Sequence, residues 1–589
     1  MKAPYLKTLS ICAISLLLFS CSKGPSSSSS KETESSVSSS EEESSVVTKG
    51  FVLSSAPYYK PAVVEGEFKP SQKSVFGYGY FEDKPQIVYM DLGVALKEIY
   101  NEEVPCVKEG GSYVYNCKFG EKITISPSEK NIVIHDFDQG NLFSRRYDVP
   151  LGLIDSEAAS YVVDNSGCTF VPNEDITLDL GKYSLDIVEH IGKAYLPFPV
   201  VDLLTFSQTL YSPVAFNGSG FYFIDNPSGA MSLSYRDNPY VKAYYSGKNS
   251  QSKKESYFIE YNANMLFFTL DYFFGFRDER FAPFAPYLEK NHKDVYDGLY
   301  SSDETTYCNA VSKLMNYVIG DGHTNGRNAS SSFGEGSVEF SLVRSERSDK
   351  LSADRSDCSI RREQAKVETN VVRYSGDTAI LSFDSFSHCG QRLTADNIAT
   401  LGQRNQDSYA LLLSAMNQIE ERGGIHNVIF DVTCNGGGDS NSLIPMLGIF
   451  QSNLKTIAYD PLSKAHAVLN YKIDTNLDGK FDNNDGYKGK YEFFVLTSSY
   501  SFSCANMYPY IAKLNGSAKI IGEVSGGGAC VVSYGVTADG KPFRMSGLSR
   551  TGKIDVPSVH DDSGVPVDSE LSRDHFYDDA YLNTFVNSL

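Results

Sequence analysis

The sequence predicts an α/β fold in the C-terminal half of the chain and a separate α+β domain before it. Between residues 367 and 589, apolar runs such as "TAILSF", "VIFDV" and "FFVLT" alternate with helical segments such as "ALLLSAMNQIEERGG". Nearly continuous apolar strands that alternate with helices are typical of parallel strands buried on both faces. Between residues 51 and 245, short apolar runs such as "KITISP" and "GFYFID" are separated by turn residues, which indicates smaller, turn-rich sheets.

The N-terminal α+β domain, residues 51–245, contains two similar segments, "VYMDLGVALKEIY" and "AYLPFPVVDLLTF". Each reads as a short strand that leads into an amphipathic helix. We interpret them as two loosely repeated units. The domain shows no catalytic constellation, so a binding or spacer role is expected for it.

The next region, residues 253–329, is predicted to be a helical subdomain. Its segments "YFIEYNANMLFFTLDYFF" and "TTYCNAVSKLMNYVIG" carry apolar residues at helical spacing and end near glycines. Residues 330–366 are mixed in charge and poor in apolar residues, which predicts a linker or loop. The α/β domain of residues 367–589 follows.

The first 50 residues are typical of an exported protein. Lys2 and Lys7 precede an apolar stretch over residues 11–19, which is too short for an ordinary membrane span, and Cys21 follows. "LFSC" resembles a bacterial lipobox, so residues 1–21 are predicted to be a lipoprotein signal peptide with Cys21 lipidated; the alternative is a plain signal peptide with an incidental cysteine. Residues 22–50, rich in Ser and Glu, are expected to be a disordered tether. These features predict a protein of the bacterial cell envelope, held outside the cytoplasm by its lipid alone.

The overall composition limits the partners of the chain. Hydrophobic residues make up 41% and aromatic residues 13% of the sequence, which is enough for globular cores. The formal net charge is −20, and phosphate binding needs clustered Lys and Arg, so nucleic acid is not expected as a partner.

The stretch "SSYSFSCANM", residues 498–507, is a candidate catalytic segment. The strand before it ends at Thr497, and a helix is predicted from about Ala505. A nucleophile at such a junction lies near the unpaired N–H groups of the helix start, a geometry that suits acyl transfer. The segment contains both hydroxyl and thiol groups.

Two further segments fit acyl transfer. "IFDVTCNGGGDS", residues 429–440, is a buried strand that runs into three glycines, whose N–H groups can approach a substrate oxygen closely. "VIGDGHTNG", residues 318–326, places His323 in a turn bounded by glycines, where an imidazole could act as a base.

Together these motifs resemble the tail-specific, or C-terminal-processing, serine peptidase family, which includes the tricorn core and the retinoid-binding protein repeats. The resemblance implies a crotonase-like α/β fold and a serine-type peptidase with a polypeptide substrate. It places the nucleophile at Ser503 and the oxyanion hole at the N–H of Cys504 with that of Gly436 or Gly437. Cys504 as a thiol nucleophile is the weaker alternative.

The chain departs from the family pattern in ways that bear on the base. Many members use a Ser-Lys dyad, but Gly526, Gly527 and Gly528 occupy the place of the lysine. The chain therefore resembles the tricorn-like branch, with His323 as base in a Ser-His site, although Gly322 stands where tricorn has a serine. The family's acidic residue corresponds to Glu570, with Asp568 as the second choice. Asn506 replaces the usual glutamate.

A separate loop, "DTNLDGKFDNND", has the pattern of a calcium-binding loop. Oxygen side chains fall at positions 1, 3, 5, 9 and 12, and a glycine falls at position 6, as an EF-type loop requires. The predicted ligands are Asp474, Asn476, Asp478, the carbonyl of Lys480, Asp482 and Asp485. The alternative is a polar hairpin loop. The calcium would be structural, and no cofactor is expected for catalysis.

The sequence thus predicts an exported, lipid-anchored serine endopeptidase that hydrolyses polypeptides through Ser-His acyl-enzyme chemistry. Two alternatives remain. One is a catalytically inactive binding protein on the same fold, and the other is a lipoprotein that binds a solute or polymer through its N-terminal domain.

Overall fold

The computed structural model describes residues 46–117, 122–135, 162–164, 166–171, 175–207, 212–224, 238–326, 329–334, 343–404 and 406–589. The predicted signal peptide, Cys21 and most of the predicted tether lie outside these residues. Among the described residues, no helix combines the length and the apolar character that crossing a bilayer requires.

The described chain forms strands throughout its length. In chain order they are β1 (Phe51–Val64), β2 (Glu67–Phe81), β3 (Lys84–Asp91), β4 (Cys106–Glu109), β5 (Ser112–Asn116), β6 (Lys122–Ser126), β7 (Asn131–His135), β8 (Val163–Asp164), β9 (Thr169–Val171), β10 (Ile176–Asp179), β11 (Val188–His190), β12 (Lys193–Pro197), β13 (Val214–Phe216), β14 (Phe221–Phe223), β15 (Val372–Ser375), β16 (Thr378–Ser382), β17 (Asn427–Asp431), β18 (Asn453–Tyr459), β19 (His466–Ile473), β20 (Glu492–Thr497), β21 (Lys519–Gly522), β22 (Cys530–Val536), β23 (Pro542–Gly552) and β24 (Ser569–Glu570).

Most of the helices lie after residue 255. They are α1 (Leu92–Tyr100), α2 (Phe198–Asp202), α3 (Pro239–Tyr244), α4 (Ser256–Phe273), α5 (Phe284–Asn291), α6 (Lys293–Leu299), α7 (Glu304–Lys313), α8 (Glu346–Gln364), α9 (Ile398–Gln403), α10 (Ser408–Arg422), α11 (Ser440–Leu447), α12 (Cys504–Leu514) and α13 (Asp579–Val586). Single turns of π-helix (Leu203–Ser207, Leu314–Ile319) continue α2 and α7, and short 3₁₀ turns occur at Gly181–Tyr183, Lys248–Gln251 and Arg573–His575.

The N-terminal region forms two sheets, one of seven strands in the order β11-β12-β3-β2-β1-β14-β13 and one of five in the order β10-β7-β6-β5-β4. The two predicted strand-to-helix segments are present as β3 with α1 and as β12 with α2. Asp91 ends β3 and caps α1, because its side chain accepts a hydrogen bond from the backbone N–H of Gly93.

The predicted parallel strands of the α/β domain are present. Their sheet has the order β15-β16-β17-β20-β21-β24, and all pairs are parallel except β15 with β16. One face packs into the main hydrophobic core, and the other face packs on the C-terminal helix α13 through residues such as Ile429, Phe494 and Leu582. Burial on both faces explains why these strands are apolar along their whole length.

The N-terminal region is not a separate domain, which corrects the predicted boundary near residue 245. A second C-terminal sheet has the order β22-β23-β18-β19-β8, and β9 also pairs with β19. Since β8 and β9 come from residues 163–171, the N-terminal region completes a sheet of the C-terminal region. Strand pairing between segments so far apart leaves no signal in local composition.

The predicted linker at residues 330–366 was wrong over most of its described length, because α8 occupies residues 346–364. Ser345 caps this helix, acidic residues fall in its first turn, and Arg361 and Arg362 fall in its last turn, as the helix dipole favours. Only Cys358 of α8 is buried. The helix therefore lacks the apolar stripe that would have identified it in the sequence.

Candidate active site

Ser503 lies at the junction between β20 and α12, as predicted. Its backbone has φ +59° and ψ −124°, a conformation that is sparsely populated for a residue with a side chain. Two neighbouring serines anchor the loop that leads to it, because the hydroxyls of Ser498 and Ser501 donate to the carbonyls of Thr433 (2.6 Å) and Val432 (2.8 Å). Of these three serines, Ser503 is the one at the start of α12.

The triple-glycine loop packs directly on Ser503. Gly437 has φ +101°, and a Cβ at this position would lie 2.7 Å from the Cβ of Ser503. Any side chain at 437 would therefore collide with the nucleophile candidate. On its other side, the N–H of Ser503 donates to the carbonyl of Gly527 at 2.8 Å.

The predicted oxyanion donors surround Ser503, but they are not equivalent. The N–H of Gly437 donates to the side-chain oxygen of Asn435 at 2.9 Å, so it is already engaged within its own loop. Cys504 is the first residue of α12, where backbone N–H groups lack helical partners. The geometry therefore favours the N–H groups of Cys504 and Gly436 over that of Gly437.

The thiol of Cys504 is not poised as a nucleophile. Burial raises its pKa to about 12, and its sulfur donates to the carbonyl of Gly438 at 3.3 Å. A reactive cysteine needs a lowered pKa. These observations favour the hydroxyl of Ser503 over the thiol.

His323 lies in the turn that follows the π-helical end of α7. The carboxylate of Asp321 accepts hydrogen bonds from the backbone N–H groups of His323 (3.1 Å) and Thr324 (2.6 Å), which fixes the turn. The imidazole is 4% exposed and packs on the ring of Phe502, with the ring centroids 4.7 Å apart. A Cβ at Gly322 would lie 2.6 Å from the Phe502 ring, which gives a physical reason for glycine before the histidine.

No hydrogen bond joins His323 to Ser503 in this structure, since neither ring nitrogen of His323 has a partner. Burial lowers the pKa of His323 to about 4, although the charges of Asp321 and Asp562 oppose this shift. The imidazole is therefore neutral at pH 7 and able to accept a proton. The ring that packs on the imidazole belongs to Phe502, the residue immediately before Ser503 in the chain.

The predicted acid, Glu570, does not reach His323. It is exposed and pairs with Gly522 in β24. The second choice, Asp568, accepts from the N–H of Ile520 (2.8 Å) and pairs with Lys513 (2.7 Å). Both belong to the edge of the parallel sheet, and neither is hydrogen-bonded to the imidazole of His323 in this structure.

Asp562, which the sequence analysis missed, is a buried carboxylate on this side of the site. Its side chain is 2% exposed, pairs with Arg280 (2.9 Å) and Arg347 (3.0 Å), and accepts from the N–H of Gly528 at 3.2 Å. These guanidinium groups help to lower its pKa against the effect of burial. Arg347 lies on α8, which the sequence did not predict as a helix. Its ion pair with Asp562 could therefore not be predicted from the sequence.

Asn506, unexplained in the sequence, connects two segments of the site. Its amide nitrogen donates to the carboxylate of Asp561, and its oxygen accepts from the hydroxyl of Ser525 (2.6 Å) and the N–H of Gly527 (3.2 Å). Burial raises the pKa of Asp561 to about 7. Asn506 thus holds the segment whose carbonyl fixes the backbone of Ser503.

A cavity of about 570 Å³ opens beside these segments. It is bordered by α8, by the chain after β21 and by the Asp562 loop. The positively charged residues that line it are Arg280, Arg347, Lys350 and Arg573. The guanidinium of Arg347 also lies 5.5 Å from the ring centre of Phe502, so the cavity adjoins the residue that packs on His323.

The predicted calcium loop uses its oxygens within the loop. Asp474 accepts from the N–H of Gly479 (2.8 Å), and Asp485 accepts from the N–H groups of Thr475 (2.8 Å) and Asp482 (2.9 Å). Burial raises the pKa of Asp474, and the charge of Asp485 adds to this shift. Across the described chain, no three or more His, Cys, Asp or Glu side chains group in a way that could hold a metal ion. Calcium binding here stays a prediction.

The sequence of residues 377–547 matches peptidase family S41. These residues form a peptidase family S41 domain. The S41 domain is that of a serine-type peptidase. It contains Ser503, Cys504 and the triple-glycine loop, whereas His323 and Asp562 lie outside the matched residues.

Solved structures similar to this chain include a putative peptidase from Parabacteroides merdae, with 15% identity over 57% of this chain and 97% of that chain and a TM-score of 0.39. A lipoprotein from Streptococcus agalactiae is 13% identical over 55% of this chain and 96% of that chain, with a TM-score of 0.34. The photosystem II D1 C-terminal processing protease is 13% identical over 35% of this chain and 46% of that chain, with a TM-score of 0.25. No curated protein matches the chain. Structural similarities with such low sequence identities and TM-scores indicate neither the substrate nor the mechanism of this protein.

Proposed function

We propose that this protein is an endopeptidase that cleaves polypeptides through an acyl-enzyme on Ser503, with His323 as the base. The observation that carries the proposal is the position of Ser503, with positive φ at the start of α12 and with Gly437 packed on its Cβ. Such a position exposes an oxygen to backbone N–H groups that can stabilise developing negative charge. A crotonase-like arrangement of the parallel sheet remains part of this proposal.

The proposed reaction follows ordinary serine acylation. His323 removes the proton of Ser503, the oxygen attacks a peptide carbonyl, and the N–H of Cys504 with that of Gly436 stabilises the oxyanion. The protonated imidazole then gives its proton to the leaving amine, and water releases the acyl group by the reverse sequence.

The reaction requires a rearrangement of Phe502. In this structure the phenyl ring packs on His323, and neither imidazole nitrogen is hydrogen-bonded. Catalytic hydrogen bonds in free enzymes are often long and form only in the complex with substrate. Movement of the Phe502 ring on substrate binding would uncover the face of the imidazole on which this ring packs.

The decisive experiment replaces the nucleophile. Ser503→Ala should reduce hydrolysis of an unfolded protein such as casein to background and should abolish labelling by a fluorophosphonate probe, because the proposed acyl-enzyme forms on this hydroxyl. Ser517→Ala is the matched control, since its hydroxyl only donates to the carbonyl of Ala512 at the end of α12. Undiminished cleavage by Ser503→Ala would contradict the proposal.

One observation favours a second candidate function, that of an inactive binding protein on the same fold. The imidazole of His323 has no hydrogen bond to an acid or to Ser503, and Glu570 is exposed at the edge of the sheet. If this candidate holds, the wild-type protein will bind unfolded polypeptide without cleaving it, and the fluorophosphonate will not label Ser503.

We also propose that lipid on Cys21 anchors the protein to the outside of a bacterial membrane, on the strength of the "LFSC" motif and the tether after it. A Cys21→Ser variant should then be exported without incorporating a labelled fatty acid. Equal incorporation by this variant and the wild type would contradict the anchor.

A further inference from the structure

Two cysteines far apart in the sequence meet beside the active site. Cys358 is the only buried residue of α8, and Cys434 lies between Thr433 and the triple-glycine loop. Both thiols are free in this structure. Asp354, one turn before Cys358, accepts from the hydroxyl of Ser499 (2.6 Å), which places this face of α8 on the loop that follows β20, and the side chain of Cys434 lowers the pKa of Cys358. Both residues are buried, at 0% and 6% exposure.

The surroundings of the pair hold the two sulfurs in place. The hydroxyl of Ser498, from the loop before Ser503, also hydrogen-bonds Cys358. The sulfur of Cys434 lies 3.4 Å from the hydroxyl oxygen of Tyr577. Two cysteines already in side-chain contact need little backbone movement to reach the S–S length of about 2.05 Å.

The helix that carries Cys358 has little else to hold it. α8 buries no other side chain, and ion pairs such as Arg347 with Asp562 and Arg573 with Asp354 attach it to the rest of the domain. Ion pairs that remain partly exposed contribute little to stability. A covalent bond would therefore change the attachment of α8 far more than any one of these pairs.

We propose that Cys358 and Cys434 form a disulfide that fastens α8 to the loop of the oxyanion donors. The bond would fix the position of Arg347, and with it the wall of the 570 Å³ cavity next to Phe502. It would also anchor Asn435, whose side chain holds the N–H of Gly437. The inference does not depend on peptidase activity.

The chemistry is thiol–disulfide exchange with a small-molecule or protein disulfide as oxidant. The Cys358 thiolate attacks one sulfur of the oxidant and releases the first thiol; the Cys434 thiolate then attacks the Cys358 sulfur and releases the second. Two protein thiols are oxidised, and the oxidant disulfide is reduced to two thiols that take up the protons. In the docked helix, the side chains of Cys434 and Ser498 and the charge of Arg573 lower the pKa of Cys358. Since both sulfurs are buried, the exchange occurs before α8 is fully docked.

The test uses the full chain refolded with oxidised glutathione. The protein is unfolded without reductant, alkylated and digested, and we expect the peptide of Cys358 to be joined to that of Cys434. Complete alkylation of both cysteines would overturn the proposal. This measurement needs no variant, so it is independent of any effect of substitution on folding.

Thermal unfolding gives the second measurement. Dithiothreitol should lower the Tm of the oxidised protein by about 5 °C or more, because the bond closes a long loop of the unfolded chain. Cys358→Ser and Cys434→Ser should each remove this shift, whereas Cys389→Ser, at a partly buried cysteine elsewhere in the domain, should keep it. An equal shift in Cys358→Ser and in the wild type would also overturn the proposal.

Discussion

At the scale of single residues, the local environment separates one serine from its neighbours. Ser498 and Ser501 are fully buried and bind backbone carbonyls, whereas Ser503 is only partly buried and has positive φ. A backbone conformation of this kind costs about 1–3 kcal/mol, and the packing of Gly437 and the bond to Gly527 hold it in place. The sequence pointed to the segment, and the contacts distinguish the hydroxyl within it.

His323 leads to a prediction about pH. The neutral imidazole is the base, and burial disfavours its charged form, so its pKa of about 4 lies below the usual value of 6.5. Activity should then persist as pH falls through 6.5 and disappear as pH falls through 4. The measurement is kcat/KM against pH, which reports the free enzyme.

A matched variant accompanies this profile. His323→Gln should reduce kcat about 100-fold or more, the usual range for the loss of a general base. Half-maximal kcat/KM near pH 6.5 in the wild type would contradict the buried, neutral imidazole, and an unchanged kcat in His323→Gln would remove this residue from the mechanism.

At the scale of elements, α8 is attached to the rest of the protein by ion pairs and not by an apolar face. The helix presents Arg347 to Asp562 at one end and Arg361 to Asp574 near the other, and both partners lie about two hundred positions away in the chain. Hydrophobic periodicity predicts α4, α10 and α12, because each of them buries an apolar face. It fails for α8, which is held by partners that only the folded chain brings near.

The calcium loop is a second element with a testable property. Asp474 and Asp485 are both buried, and the charge of Asp485 contributes to the raised pKa of Asp474, which a bound cation would relieve. Calcium added after chelation should therefore raise the Tm, by the equivalent of about 2.7 kcal/mol at a hundredfold excess over Kd. Differential scanning calorimetry measures this shift.

Variants of the loop give the control for calcium. Asp485→Asn should lose the calcium-dependent rise in Tm, while Asp396→Asn, at an exposed site outside the loop, should keep it. If calcium leaves the Tm of the wild type unchanged, the segment is a polar loop stabilised by its own backbone hydrogen bonds.

At the scale of the whole molecule, the N-terminal region and the α/β domain are joined at several points. β8 and β9 extend the sheet of β19, Tyr183 donates to Asp271 (2.8 Å), and Tyr244 donates to the carbonyl of Gly540 (2.6 Å). Residues 163–171, Tyr183 and Tyr244 of the N-terminal region thus contribute to the same folded unit as Ser503. Deletion of residues 51–237 would remove part of that unit.

Lys254 provides a test of how residues 253–329 are joined to the C-terminal region. Its ammonium group is 4% exposed and pairs with Glu304 (2.8 Å) and with Asp539, which is fully buried. Lys254→Met would leave Asp539 without its cation, and removal of one partner of a buried pair costs about 3–5 kcal/mol. The free energy of unfolding from urea titration measures the loss.

Lys253→Met is the natural control, because Lys253 is the exposed neighbour and only its backbone carbonyl is hydrogen-bonded, to Gln86. Equal stability of the two variants would show that the buried pair does not hold these segments together.

The sequence by itself determined the parallel strands, most of the helices, the strand-to-helix junction that holds Ser503 and the glycine-bounded turn that holds His323. These features depend on hydrophobic periodicity and on glycine spacing within a few residues, so local sequence carries them. Only the tertiary structure decided that Glu570 lies exposed at the sheet edge, that Asp562 is buried and paired with Arg347, that α8 exists and that Cys358 lies near Cys434. Each of these features depends on which distant segments of the chain pack together. The residue pattern within one segment does not show which other segment it contacts.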